Sequence, residues 1–170
     1  MKKQVLLVAV VMFLAVGQMF AQGQNRIGGH LAYGTKDLNL GFGANAEFSL
    51  SDNLSIAPKF TYFLGKSEGS GLAEVSYSAL SLDGDVHYYF TTEGTSFYGL
   101  AGLTYASITS KVSFLGQPLS VSDSKIGLNL GLGANFNTGS SFIPFGEVKY
   151  STPFEALVIS AGVRFPLGGK

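Results

Sequence analysis

Apolar residues alternate with small or polar residues along most of this chain. The alternation is clearest over Ile126–Phe136, which reads IGLNLGLGANF, with apolar residues at every even position and glycine or asparagine at every odd one. A period of two puts successive side chains on opposite faces of a β-strand. A soluble sandwich would bury the apolar face in a core. Here the polar face is nearly free of side chains, which suits the crowded inside of a small barrel.

Seven other segments repeat this pattern and predict strands. The eight predicted strands are, in chain order, Ile27–Gly34, Leu38–Leu50, Leu54–Leu64, Ser76–Phe90, Ser96–Ile108, Ile126–Phe136, Phe142–Tyr150 and Ala156–Phe165. The connections after the second, fourth and sixth strands are compact. Those after the third and fifth are long, over Lys66–Val75 and Ser107–Ser124. Outer-membrane barrels have this asymmetry and an even number of strands. Pro58 lacks a backbone donor and predicts a bulge or distortion in the third strand.

Aromatic residues indicate how the strands are oriented. Four tyrosines fall at the ends of the odd-numbered strands and four phenylalanines at the ends of the even-numbered ones, which predicts two interfacial girdles at opposite rims. The predicted girdle residues are Tyr33, Tyr62, Tyr105, Tyr150, Phe48, Phe90, Phe136 and Phe165. The fifth strand is ambiguous by pattern alone. Placing Phe97 and Tyr105 in the girdles puts Gly99, Ala101 and Leu103 on the lipid face.

The N-terminus has the features of a secretory signal peptide. Two lysines precede the apolar run Val5–Val16, and Ala21 offers a small residue at a cleavage site. The run is too short to span a bilayer as a helix. We therefore predict a cleaved signal peptide over residues 1–21 and one barrel domain over 22–170, with a retained anchor as the alternative.

Composition narrows the class of function. Lysine plus arginine and aspartate plus glutamate both number 11, so no basic patch for a nucleic-acid partner is expected. The absence of cysteine excludes disulfides and thiolate zinc sites. The mean hydropathy is positive although no segment after Ala21 is apolar enough for a transmembrane helix, which points to strands that face lipid.

Charged and polar residues on the inner faces are the candidate chemistry. They are His30, Glu47, Lys59, Asp83, Asp85, His87, Glu147, Lys149 and Arg164. Asp83, Asp85 and His87 alternate along one strand at a spacing of about 6.6 Å, whereas metal ligands converge at about 2 Å. We therefore expect no metal and no cofactor. The whole set is interpreted as a paired charge network inside the barrel, because buried charges need partners.

Two features bear on catalysis. Gly65–Gly69 matches the hydrolase pattern G-x-S-x-G, but it lies in a predicted loop without the strand–turn–helix that exposes the serine. Some small barrels modify lipids, which would need a serine positioned with His30 or His87. No serine near a strand end pairs recognisably with either histidine, so we expect no enzymatic activity.

The inner faces also bear on conduction. Glycines on the second and sixth strands would leave a narrow lumen unless aromatic residues from other strands fill it. Those expected to point inward are Phe63, Tyr77, Tyr89, Tyr98 and Phe145. Interiors of eight-stranded barrels are normally just filled by side chains, so a wide pore is not expected.

The third outer loop carries a symmetric apolar pattern. Val112 and Phe114 precede a short connection, and Leu119 and Val121 follow it. This predicts a hairpin that continues the fifth and sixth strands beyond the membrane. Exposed apolar residues on a protruding edge suit strand addition or adhesion. Packing of these residues on neighbouring loops is an equal alternative.

The chain resembles the small eight-stranded outer-membrane barrels of the OmpA and OmpX type, the porin-family β-barrel domains. The resemblance covers Gly28–Leu167 and rests on the strand pattern, on Val86–Phe90 (VHYYF) and on Tyr98–Gly102 (YGLAG). Ser160-x-Gly162-x-x-Phe165-x-Leu167 is similar to the C-terminal assembly signal of such barrels, although the family usually ends on the aromatic residue.

The resemblance implies an all-β, eight-stranded antiparallel up-and-down transmembrane barrel. Its place would be the cell outer membrane, as a monomer in contact with lipid. We expect a structural or surface-interaction (adhesion-like) role through the extracellular loops, with an extracellular protein or surface as partner. The alternative function is a narrow porin-like channel for small solutes or ions.

Overall fold

Eight antiparallel strands close into one barrel in which each strand pairs with its chain neighbours and the last pairs with the first. The computed structural model describes residues 25–36, 38–68, 73–92, 94–114 and 117–167. The strands are β1 (Arg26–Gly34), β2 (Asn39–Ser51), β3 (Leu54–Glu68), β4 (Ala73–Tyr89), β5 (Thr95–Phe114), β6 (Gln117–Phe136), β7 (Ile143–Ser151) and β8 (Ala156–Pro166). The predicted up-and-down barrel is confirmed. The signal peptide predicted over residues 1–21 lies outside the described residues and stays a prediction.

Closure of the sheet turns the alternation into an outside and an inside. In β6, Leu130 is 69% exposed while its neighbour Asn129 is only 2% exposed. Because neighbouring strands satisfy one another's backbone groups around the whole barrel, the apolar face can meet lipid without unpaired polar groups. The register of β5 is the one predicted, with Leu103 exposed outside and Tyr98 buried inside. In the part of the chain that the structure describes, no helix has the length and apolar character to cross a membrane.

Four strands, β3 to β6, extend past the rest of the barrel at one end. β5 and β6 pair without a register shift from Thr95–Phe136 to Phe114–Gln117, whereas β6 pairs with β7 only over Asn129–Asn135. On the other flank, the pairing of β3 with β2 ends at Phe63. We call the projecting residues 64–68, 73–78, 107–114 and 117–127 the protruding sheet. They rise beyond the tight turns that join β1 to β2 and β7 to β8.

The protruding sheet corrects two predicted boundaries. The long connection predicted over Ser107–Ser124 was wrong, because β5 and β6 occupy all of it except residues 115–116. The predicted hairpin is confirmed in the backbone, where Val112 pairs with Leu119. The loop predicted over Lys66–Val75 is also shorter, since β3 runs to Glu68 and β4 begins at Ala73. These segments are rich in serine and threonine, so their two faces differ too little in polarity for the alternation to predict them as strands.

Pro58 distorts the sheet without a bulge. β2 and β3 pair at Asn45–Lys59 and resume at Phe48–Ile56 in the same register, so the ladder lapses opposite the proline. Proline cannot donate a ladder hydrogen bond, which accounts for the lapse. The register shifts lie elsewhere, after Ser49 on β2 and after Phe63 on β3.

Candidate interaction surface and barrel interior

The barrel interior holds all nine polar residues that the alternation places inward. None of them is more than 6% exposed. They are His30, Glu47, Lys59, Asp83, Asp85, His87, Glu147, Lys149 and Arg164. They come from six different strands, so closure of the barrel is what brings them together.

Arg164 is the centre of the charge network in the half of the interior that lies away from the protruding sheet. Its guanidinium donates to the Glu47 carboxylate at 2.9 Å and to the Glu147 carboxylate at 2.7 Å. A further donor bonds the Asn135 side-chain carbonyl at 2.7 Å, and the guanidinium carbon lies 3.9 Å from the centroid of the Phe145 ring. The planar fork of arginine suits two carboxylates held in fixed positions.

Lys149 organises the second charge cluster. Its ammonium donates to Asp83 at 2.7 Å and to Asp85 at 3.2 Å. The side-chain amide of Asn129 bridges the same two carboxylates at 3.2 and 3.0 Å. Lys59 is not part of this cluster, because it donates instead to Glu147.

The interior charges balance within the described residues once the half-buried Arg26 is counted with the buried cations. The cations are Arg26, Lys59, Lys149 and Arg164, and the carboxylates are Glu47, Asp83, Asp85 and Glu147. Each carboxylate lies within 4 Å of at least one of these cations. Because unpaired ions in a low-dielectric interior are costly, this pairing is what allows seven of these charges to be buried, with Arg26 half-buried beside them.

Each of the two histidines packs against polar or aromatic side chains inside the barrel. Nε2 of His30 lies 3.0 Å from the Thr61 hydroxyl. His87 stacks on Tyr98 with centroids 4.4 Å apart, and its Nδ1 lies 3.9 Å from a Glu47 oxygen. Among the described residues neither histidine hydrogen-bonds a serine, and no group of three or more potential metal ligands is placed to hold an ion.

Inner glycines make room for neighbouring side chains rather than for a lumen. A Cβ at Gly133 would collide with the Tyr98 ring, and one at Gly41 would lie 2.8 Å from the Phe63 ring. Phe63, Tyr98 and also Tyr89 and Phe145 are buried, as their inward positions require. Tyr77 was expected inward as well, but it is 40% exposed, because it lies in the protruding sheet beyond the register shift of β3.

An apolar cluster closes the interior at the end that carries the protruding sheet. We call it the apolar plug, and its buried members are Ala32, Leu38, Phe63, Ala79, Ala156 and Val158. Phe154, from the turn between β7 and β8, packs on it with its ring centroid 5.9 Å from that of Phe63. Leu38 comes from the turn between β1 and β2. The plug therefore separates the charge network from water on that side.

The plug depends on two turns that are tied together. The Thr35 amide donates to the Leu157 carbonyl at 2.9 Å, and the Leu157 amide donates to the Thr35 hydroxyl at 3.0 Å. Lys36 and Glu155 both have positive φ angles, of 60° and 49°, and their side chains form an exposed ion pair at 3.6 Å. These left-handed residues turn the chain sharply enough to fold Leu38 over the opening.

Most of the predicted girdle residues lie on the outer surface. Exposed at the surface are Tyr33, Tyr105, Tyr150, Phe90, Phe136 and Phe165. Tyr62 is half-buried against Phe42, with ring centroids 6.0 Å apart.

Phe48 is only 6% exposed, although it pairs with Ile56 in the outward row that continues to the exposed Val86, so its place in the girdle stays a prediction. Glu47 and Phe48 are buried in succession, but the β2–β3 register is the same on both sides of the lapse, so the two side chains still lie on opposite faces.

The protruding sheet has a hydroxyl-bearing face that continues the lipid-facing side of the barrel. The Tyr105 hydroxyl donates to the Ser124 hydroxyl at 3.0 Å, and the Thr109 and Ser122 hydroxyls lie 3.0 Å apart. The apolar belt thus gives way to a ladder of hydroxyls above Tyr105. This face was missed from the sequence, although serine at 120, 122 and 124 is a period-two signal.

The predicted loop ridge is only partly visible. Val121 is 63% exposed. The side chains of Val112, Phe114 and Leu119 lie outside the described residues, although their backbone pairs are part of the β5–β6 ladder.

In the part of the chain that the structure describes, the β6 edge of the protruding sheet has no neighbouring strand. The Thr152 amide donates to the Leu128 carbonyl at 3.0 Å, and the Leu128 amide donates to the Thr152 hydroxyl at 2.8 Å. Beyond this point, among the described residues, residues 117–127 of β6 have no strand partner on the β7 side. We call this stretch the free edge. Closed barrels abolish sheet edges, and the extension of β6 past β7 creates one again.

Comparison with known proteins identifies the family to which this barrel belongs. The sequence matches the family described as outer membrane protein β-barrel domain over residues 6–165, so the chain belongs to that family. No curated protein sequence matches the chain.

Several solved barrels share the fold. Ail, the attachment invasion locus protein of Yersinia pestis, is 22% identical with a TM-score of 0.55, over 82% of this chain and 93% of that chain. The N-terminal barrel of Pseudomonas aeruginosa OprF is 19% identical with a TM-score of 0.57, over 86% and 100%. Neisserial surface protein A is 18% identical with a TM-score of 0.61, over 84% and 96%. At these identities the likeness concerns the fold.

Proposed function

We propose that this member of the outer membrane protein β-barrel domain family binds an extracellular partner through its protruding sheet. The protein is an integral protein of the cell outer membrane. The observation that carries the proposal is the unequal length of the strands. β5 and β6 are each 20 residues long, whereas β7 has 9 and β8 has 11.

The part of β5 and β6 that extends beyond the membrane is not needed to form the membrane-spanning barrel. A strand of about 9–11 residues is enough to cross a bilayer at the usual tilt. The extra residues of β5 and β6 therefore lie past the lipid. β1 begins and β8 ends at the opposite end of the barrel, and outer-membrane barrels turn their longer connections outward. The protruding sheet accordingly faces the outside of the cell.

The interior supports a role outside the lumen. The charge network is fully paired, the inner glycines are packed against aromatic rings, and the apolar plug covers the outer end. A channel would need a continuous wet path through the barrel, and the buried aromatic side chains and the apolar plug argue against the porin-like alternative. The hydroxyl beside His30 belongs to Thr61, which is buried inside the barrel, and neither histidine hydrogen-bonds a serine among the described residues, so we also infer that the protein is not an enzyme. The continuous apolar outer belt suits lipid, and we propose that the barrel acts as a monomer.

Similar barrels add support of a general kind. The Yersinia pestis protein is an attachment invasion locus protein, and it has also been solved in complex with the heparin analogue sucrose octasulfate. A ligand on a barrel of this fold is in line with a surface-binding role here. The partner of the present chain is expected to differ, because identity between the two is low.

A hairpin deletion tests the proposal. Removing residues 107–124 and joining Ala106 to Lys125 through Asn-Gly closes β5 and β6 at a residue pair of the native ladder. Asn-Gly favours the tight turn that fits a hairpin. The variant keeps the charge network and the strand pairing of the membrane-spanning part of the barrel, so it is expected to fold. The matched control replaces the turn 137–141, at the opposite end, with the same dipeptide.

The readouts are attachment and conductance. Cells that display the parent are expected to attach to protein-coated surfaces, the deletion variant to lose that attachment, and the control to retain it. Neither parent nor deletion variant is expected to conduct in planar bilayers. A deletion variant that attaches as well as the parent, together with measurable conductance of the parent, would favour the channel instead.

A further inference from the structure

The ladder between β2 and β3 is interrupted within the membrane-spanning part of the barrel. It pairs Asn45 with Lys59, omits the next two pairs and resumes where Phe48 faces Ile56 in the same register. Alternate pairs of an antiparallel ladder are closed by two hydrogen bonds between the facing residues. Both omitted pairs depend on one donor, the backbone N–H that proline lacks at position 58.

The interruption leaves one backbone carbonyl of β2 without its ladder donor. The Tyr89 amide donates to the Asn53 carbonyl at 2.8 Å, so residue 53 turns its backbone groups toward β4. Backbone direction alternates along a strand, and the β3–β4 register is unshifted up to Phe63, so Pro58 turns toward β2. There it faces Ala46. The Ala46 amide has the Pro58 carbonyl as acceptor, but the Ala46 carbonyl receives no N–H in return.

Inward side chains of the described residues do not replace this donor. Those beside the gap with N–H or O–H groups are Asn45, Ser55 and Lys59. The Asn45 amide lies 3.3 Å from a ring nitrogen of His30, and Ser55 and Lys59 donate to the glutamates of the charge network. A donor for the Ala46 carbonyl must therefore come from the outer face of the sheet.

The outer face beside this carbonyl is open. Ala46 and Pro58 are half-buried, and Gly84, which pairs with Pro58 from β4, is exposed. A Cβ at Gly84 would meet no heavy atom within 4 Å. We call the surface formed by these three small outward residues the outer recess. Because an unpaired carbonyl is costly in hydrocarbon, the outer recess favours a lipid that brings a donor.

The outer recess lies a short way inside the periplasmic rim. Ala46 pairs with Ile27, and Ile27 pairs with the exposed Phe165 of the predicted girdle. β2 continues from Ala46 to Ser51 before it turns, so this row of residues climbs into the membrane from β8 to β2. Two strand spacings of about 4.8 Å at a tilt of about 40° place Ala46 about 6 Å deeper than Phe165. Aromatic girdles mark the interface, so the carbonyl lies where headgroups give way to acyl chains.

Diacyl phospholipids have the wrong chemistry at this depth. Their ester groups accept hydrogen bonds but do not donate them. A lipid whose chain is joined through an amide, as in a sphingolipid, presents an N–H and a hydroxyl at the same depth, and both are donors. We propose that the outer recess binds one such amide-linked lipid of the periplasmic leaflet through a hydrogen bond to the Ala46 carbonyl. The site is at the opposite end of the barrel from the protruding sheet and is independent of the proposed function.

Lipid retention by the full chain tests this site. The barrel is reconstituted in vesicles of equal parts sphingomyelin and phosphatidylcholine, both with oleoyl chains. Native mass spectrometry after transfer to detergent then measures which lipid stays bound. Both lipids have the same phosphocholine headgroup, so the donors at the chain junction are the relevant difference. The parent is expected to retain sphingomyelin about three- to tenfold over phosphatidylcholine, the factor that one neutral hydrogen bond contributes.

Two variants remove the preference by different routes. Pro58→Val supplies the missing N–H to the Ala46 carbonyl, and valine suits an outward strand position. Gly84→Leu leaves the carbonyl bare and fills the outer recess from the lipid side. The matched control is Pro144→Val, which changes an outward proline of β7 whose pair with Val163 is already present. The first two variants are expected to lose the preference for sphingomyelin and the control to keep it, with folding checked by the heat-dependent shift in gel mobility.

Three results overturn the proposal. One is equal retention of the two lipids by the parent. Another is an undiminished preference for sphingomyelin in a folded Pro58→Val or Gly84→Leu variant, because the lipid would then bind elsewhere. The third uses lysophosphatidylcholine, which has a hydroxyl at the chain junction but no amide. Stronger retention of lysophosphatidylcholine than of sphingomyelin would assign the outer recess to a different class of lipid.

Discussion

Arg164→Met should destabilise the barrel more than any other single loss of a charge in its interior. Arg164 is fully buried and bonds two carboxylates, Glu47 and Glu147. Methionine keeps much of the apolar bulk but cannot donate. The change therefore leaves four buried carboxylates with three cations, and it does so where the network is most connected.

The expected magnitude follows from what each carboxylate retains. Glu147 keeps Lys59 and the Tyr98 hydroxyl, which donates to it at 2.8 Å. Glu47 keeps a longer contact with Arg26 at 3.9 Å and the Ser55 hydroxyl at 2.8 Å. Removing one partner of a buried ion pair typically costs about 3–5 kcal/mol, and we expect a loss in this range.

Second variants distinguish charge imbalance from lost packing. Arg164→Met combined with Glu47→Gln restores three cations against three carboxylates. The double variant should recover about 1–3 kcal/mol relative to the sum of the two single changes. Arg164→Lys keeps the charge but not the fork, and it should fall between parent and Arg164→Met.

The free energy of unfolding can be measured by urea titration in lipid vesicles. Far-ultraviolet circular dichroism and the gel-mobility shift are suitable probes, because the chain contains no tryptophan. An unchanged free energy of unfolding in Arg164→Met would refute the reasoning. Strict additivity of Arg164→Met and Glu47→Gln would show that the two side chains do not act as a network.

Three further predictions concern the lipid face, the inner glycines and the plug. Leu130→Arg should hinder insertion into vesicles by about 2–4 kcal/mol, and insertion as efficient as that of the parent would contradict the outward assignment. Gly133→Ala should lower the free energy of unfolding by about 1–3 kcal/mol, because the new methyl group displaces Tyr98. Gly84→Ala, with open space around its Cβ, is the control and should be nearly neutral. Phe63→Ala should introduce conductance events in planar bilayers that the parent lacks, and their absence would show that the charge network alone seals the barrel.

The sequence predicts much of the fold because a strand's faces are a local property. Alternation over Ile126–Phe136 was enough to identify a strand and its two sides, and the same signal placed nine polar residues inside. It was insufficient where the polarity contrast disappears. The serine-rich continuation of β5 and β6 was left outside the predicted strands, apart from the hairpin predicted around Val112 and Val121, although backbone pairing with a neighbour makes it strand.

Only the tertiary structure decided which inner residues meet. Period-two alternation shows which face of the strand a residue occupies. It does not show how far along the barrel axis the residue lies, or which residue it meets across the interior. Lys59 bonds Glu147, 88 residues away along the chain, and Lys149 binds Asp83 and Asp85. These pairs follow from the register of eight strands and from closure of β8 on β1. The apolar plug and the free edge arise in the same way, from where neighbouring strands stop, because the end of each ladder depends on the lengths of two strands at once.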